Sequence, residues 1–190
     1  PSLLAAYRAD PAVESAELHR RARAAYTPND PDLALFWGLR VIRATAAWDI
    51  STGAGAVVAV VDSGVELTHP DLSANLWTNP AEIPANGVDD DANGFIDDVT
   101  GWNFAYDNAD PTDDNGHGTH VAGTVASTAD NGQGGAGVAY GAQIMALKGL
   151  DFFGDGTFQA LANAIRKFDC TRGTPFYSYS QKAVQNRLRN

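Results

Sequence analysis

Residues 56–64 read AVVAVVDSG. A continuous run of valine and alanine, closed by an acidic residue and a turn signal, predicts a strand buried on both faces, which belongs in a parallel sheet. Asp62 then falls at the carboxyl end of that strand, where open α/β sheets place their ligands.

The segments around it agree. Residues 117–127, HGTHVAGTVAS, put Val121, Ala122, Val125 and Ala126 at helical spacing behind a Gly-rich entry and predict a helix beginning near His117. Residues 142–150, AQIMALKGL, predict a second buried strand, and residues 156–168, GTFQALANAIRKF, a helix with Phe158, Leu161, Ala162 and Ile165 on one face. Strand, helix, strand, helix implies an α/β fold with a mostly parallel sheet.

Composition narrows the function classes. The chain has 190 residues, 44% of them hydrophobic, enough to bury a core and too apolar for a disordered chain. Its net charge of -10 is unevenly placed: between Ala44 and Leu147 there are fifteen Asp or Glu and no Lys or Arg. Such a segment repels nucleic acid and anionic lipid and favours a bound cation. No run of eighteen apolar residues is long enough to span a membrane. The opening PSLLAAYRADP lacks the pattern of a secretory signal, so any signal is expected to lie outside this stretch. A single cysteine, Cys170, excludes an internal disulfide.

The chemistry centres on Asp62 and on residues 113–123, DDNGHGTHVAG. Either residue alone is ambiguous, since strand ends carry Asp as a turn former and helix starts accommodate His. Together they suggest a carboxylate that accepts Nδ1–H of an imidazole, fixes its tautomer and stabilises the imidazolium formed when it takes a proton from a serine. Zinc is disfavoured, because His117 and His120 are three apart with Gly and Thr between them, unlike the H-E-x-x-H spacing.

Two longer motifs sharpen this. VAVVDSGVELTHPDL (58–72) and NGHGTHVAGTVAS (115–127) resemble, in that order, the Asp and His signatures of the subtilases, the subtilisin-like serine peptidases. The likeness runs from about Trp37 to Phe168, with GVAYGAQIMALKGL (137–150) and GDGTF (154–158) similar to the family's next strand and substrate-binding segment. The resemblance implies an incomplete subtilisin-like three-layer α/β fold, with Asp62 the orienting acid, His117 the general base and His120 a helix-packing residue. It implies a polypeptide substrate added as a strand, with Phe158, Leu161 and Gly156 on the substrate side, a secreted protein, and no nucleic-acid or membrane partner.

The same resemblance divides the chain. YRADPAVESAEL (7–18) resembles the last strand of a subtilase propeptide, so residues 1–26 are expected to be a propeptide remnant and linker, although an amphipathic helix over 16–25 suits the composition equally. Residues 27–168 are the N-terminal part of a catalytic domain, and residues 169–190 a non-homologous tail. The charge reverses there, from -13 over residues 1–168 to +3 over 169–190. None of the eight serines (Ser2, Ser15, Ser51, Ser63, Ser73, Ser127, Ser178, Ser180) sits in the family's GTS-x-A context, and either the reading frame shifts or misjoins near Phe168, the leading expectation, or the chain is a truncated relative. The 190-residue chain is therefore expected to be inactive by itself. The rival expectations are a dead peptide-binding relative and a calcium-binding structural module.

Calcium is the expected cofactor. Residues 87–98, GVDDDANGFIDD, space Asp89, Asp91, Asn93, Gly94 and Asp97 like the first ligands and turn glycine of a helix-loop-helix calcium loop, although Thr100 stands at the twelfth position instead of Glu. From the family resemblance alone, a second site draws on Asp71 and Asn131, with the carbonyls of Gln133 and Gly135.

Overall fold

The computed structural model describes residues 3–16 and 26–167. Helices α1 (Leu3–Ala9), α2 (Trp37–Val41) and α3 (Ala44–Trp48) precede strand β1 (Val57–Asp62); β2 (Gly101–Asn103), α4 (His117–Ala126), β3 (Gln143–Lys148) and α5 (Phe158–Lys167) follow. The sheet order is β1-β3-β2, with both pairings parallel.

Both predicted strands are present, the predicted helices form over His117–Ala126 and Phe158–Lys167, and the two-residue period of the strands explains the layering. Val58, Val60, Ile144 and Ala146 point to one face, where they pack with Val121, Ala122, Val125 and Ala126 of α4. Val57, Ala59, Val61, Met145 and Leu147 point to the other, against Ala164 of α5. A strand covered on both faces must be apolar at every position, which is why residues 56–61 show no polar alternation. A third cluster, built on Leu39, Ala44, Trp48 and Ala136, anchors α2 and α3 to the loop after α4.

Three expectations are revised. The buried face of α5 is Ala160 and Ala164, not the stripe through Phe158, which is exposed at the first turn; small side chains let the helix axis approach the sheet. Strand β2 was not foreseen, because its three residues lie inside an aromatic loop and are too few to show a period. Residues 7–9 are helical and 10–16 contain no strand; LLAAYRA is built of strong helix formers, and Pro11 follows the helix end. Residues 17–25 and the tail 169–190 lie outside the described residues.

Candidate active site and acidic loop

Asp62 is the last residue of β1 and His117 the first of α4. His117 Nδ1 stands 2.7 Å from Asp62 Oδ1. The same carboxylate oxygen accepts Ser63 N–H at 2.8 Å, and the Asp62 carbonyl accepts Gly149 N–H at 2.8 Å, so both ends of the residue are fixed by backbone. The carboxylate is 12% exposed and the imidazole 65%. With Nδ1–H assigned as donor to the carboxylate, Nε2 keeps its lone pair on the solvent side. The hydrogen bond to Asp62, and then its negative charge, raise the imidazole pKa above its ordinary value, with burial acting weakly the other way.

The start of α4 is held to the turn after β1 by one half-buried carboxylate. Asp113 Oδ1 accepts Asn115 N–H, Gly116 N–H and the Ser63 hydroxyl (3.0, 2.9 and 2.8 Å), while Oδ2 accepts Thr119 N–H and its hydroxyl (2.9 and 2.5 Å). Burial would raise the Asp113 pKa, but these donors outweigh it and hold the carboxyl far below the usual range. Ser63 Oγ also accepts Gly118 N–H at 2.9 Å, so this buried hydroxyl is committed to the turn. Gly118 and Gly64 meet so closely that a Cβ on Gly118 would lie 2.1 Å from the Gly64 carbonyl oxygen. Among the described residues, no serine hydroxyl bonds to His117. His120 is exposed rather than packed, its helix face turned to solvent.

A cleft of 280 Å³ opens beside the end of β3, lined among others by Phe104, Tyr106, Gly149, Asp155, Gly156 and Ala160. Of the three residues expected on the substrate side, Gly156 lines it, and Leu161 lies against Gly149 in its wall. Phe158 is 61% exposed and does not line the cleft, although Thr157 beside it does.

The acidic loop is organised differently from its motif. Asp89 accepts Asn93 N–H and Gly94 N–H, and Asp97 accepts Asn86 N–H and Gly87 N–H, so both close turns of their own loop. Asn93 directs its amide nitrogen at Asp91 and Asp98. Asp91 alone of the four joins a carboxylate cluster, with Glu82 and Asp98, whose oxygens lie within 4.8 Å of one another. Burial opposes the ionisation of Asp91, yet hydrogen bonds from Asn79 and Asn93 leave its pKa below the usual value. Lys167 Nζ bonds to Asp98, and burial lowers the lysine's pKa. Asp71 and Asn131 are brought together (Asn131 Nδ2 to Asp71 Oδ1, 2.7 Å), and buried Asp30 joins them by accepting Asp130 N–H and Asn131 N–H at 2.9 and 3.1 Å.

The motifs did not reveal Asp113, Glu82, Asp98, Asp30 or Lys148. Lys148 alone left a signal: it is the one basic residue between Arg43 and Arg166, and it closes an apolar strand.

Comparisons with known proteins agree with this geometry. The profile described as "Subtilase family" matches residues 53–181. The chain is 40% identical over 141 residues to thermitase of Thermoactinomyces vulgaris, an alignment covering 74% of this chain and 43% of thermitase. It is 36% identical over 176 residues to a protein named extracellular protease from Xanthomonas campestris pv. campestris, covering 86% of this chain and 30% of that one. A solved protease structure from Pseudoalteromonas arctica superposes with a TM-score of 0.53 at 30% identity, over 74% of this chain and 43% of that one. The chain thus spans less than half the length of these relatives.

Proposed function

Because this chain belongs to the subtilase family, we propose that it carries the acid and the base of a serine-type endopeptidase whose nucleophile lies outside these residues. The observation that carries the reading is the 2.7 Å contact between a buried strand-end carboxylate and an exposed helix-start imidazole. Asp62 holds Nδ1–H, which leaves Nε2 to take the proton of a serine hydroxyl as that oxygen attacks a peptide carbonyl. The negative charge of Asp62 stabilises the imidazolium, which then returns the proton to the leaving amine. The cleft of Phe104, Tyr106 and Gly156 takes a substrate side chain beside this pair. Ser63 is excluded as nucleophile by its bonds to Asp113 and Gly118. Among the described residues, then, no serine is placed to serve as the nucleophile of this pair.

Calcium is the resident ion in this reading. Hard oxygen donors within 4.8 Å of one another suit its radius and flexible coordination. Glu82, Asp91 and Asp98 would hold one ion, and Asp71 and Asn131, with the carbonyls of Gln133 and Gly135, a second. The ion would offset the carboxylate charge that Lys167, bonded to Asp98, leaves uncompensated. Secretion, as the name of the Xanthomonas relative suggests, fits a protein stabilised by extracellular calcium.

The test joins the chain to a family-like continuation bearing GTS-x-A and measures casein hydrolysis with calcium. Activity is expected, falling by roughly 10³-fold or more in His117→Ala. Peptide binding without hydrolysis would favour a catalytically dead relative instead.

A further inference from the structure

Lys148 is 1% exposed, the largest fully buried side chain among the described residues. An ammonium removed from water costs several kcal/mol unless its protons are accepted, and it has three to place. Here the three acceptors are the Ser63 carbonyl at 2.8 Å, the Thr112 carbonyl at 3.3 Å and Asp114 Oδ1 at 2.5 Å. The Tyr106 ring, 5.5 Å away at its centroid, covers another side.

The acceptors come from two separate segments. Ser63 follows the acid, while Thr112 and Asp114 belong to the loop that delivers the base. Lys148 is itself level with Asp62 in the parallel register of β1 and β3. Satisfying one buried ammonium therefore obliges the turn after Asp62 and the loop before His117 to converge at the carboxyl end of β3. Asp113 clamps the same two segments from the helix side through Ser63 and Thr119.

We infer that Lys148 is a positioning residue, which sets the distance between the carboxylate of Asp62 and the imidazole of His117 without touching either substrate or the reacting atoms. The inference rests on the reading of Asp62 and His117 as an acid–base pair.

The test is NMR of the His117 ring in the 190-residue chain, following its titration midpoint and the exchange rate of the Nδ1 proton, in the parent, Lys148→Met, Asp114→Asn and Asp62→Asn. Loss of positioning lowers the midpoint toward that of Asp62→Asn and speeds proton exchange by roughly tenfold, the worth of about one hydrogen bond. Loss of a nearby positive charge alone would raise the midpoint. A folded Lys148→Met whose midpoint is unchanged or raised overturns the inference. If Lys148→Met does not fold, Asp114→Asn decides by proton exchange, because loss of its negative charge alone lowers the midpoint: exchange faster by roughly tenfold supports the inference, and exchange at the parent rate overturns it. A parent midpoint equal to that of Asp62→Asn would instead sink the acid–base reading itself.

Discussion

The strand-end site and the acidic loop are both built from carboxylates, yet they use them in opposite ways. At the first, regular elements bring Asp62 and His117 together, and the remaining charged groups, Asp113 and Lys148, tie those elements to each other. In the loop of residues 79–98, carboxylates do the work of secondary structure: Glu82 accepts the backbone N–H groups of Asp90, Asp91 and Asp97, and Asp89 and Asp97 close turns. A site on a strand and a helix inherits its geometry from packing. A site on a loop must be held by its own polar contacts or by an ion, so its stability should answer to calcium while the first site's should not.

The most damaging change to the first region is predicted at Gly118. Its Cβ position lies 2.1 Å from the Gly64 carbonyl oxygen and 3.1 Å from Asp62 Cβ. Gly118→Ala must push α4 off the end of β1, at a cost of about 3 kcal/mol as severe overpacking against backbone. Denaturant melts should show that loss with and without calcium. A loss below about 1 kcal/mol would mean that the helix start is free to shift.

That contact also shows how far the sequence could be read. Uninterrupted valine and alanine in residues 56–61 announced a strand covered on both sides, and Asp62 and His117 were legible because regular elements leave periodic signals on either side of them. Partners in coil leave none. Glu82 and Asp98 meet through a fold-back of the chain, which no spacing rule encodes, while Asp89 and Asp97 match a calcium-loop motif and are occupied with backbone N–H groups. His120 shares a motif with His117 but faces solvent on the next turn of α4. Phe158 was expected on the buried face of its helix from its spacing, whereas the close approach of α5 to the sheet is made by Ala160 and Ala164.

A smaller effect should come from the loop. Glu82→Gln turns an amide group toward backbone N–H donors that need an acceptor, and removes one carboxylate from the cluster with Asp91 and Asp98. The expected cost is about 2 kcal/mol, with a smaller gain in melting temperature on adding calcium than the parent shows. An undiminished calcium response in Glu82→Gln would place the ion elsewhere and weaken the contrast between the two regions.

The most direct test of the central claim is the pH titration of His117 by NMR in the parent chain and in Asp62→Asn. Asp62 raises the imidazole pKa in the folded chain, so the stabilisation from this pair is complete below the ordinary imidazole value of 6.5. It is lost as pH rises through the raised one. The account predicts a parent midpoint above 6.5 that falls toward that value in Asp62→Asn. A midpoint that ignores the substitution would mean that the carboxylate and the imidazole are neighbours without being a pair, and would contradict the account.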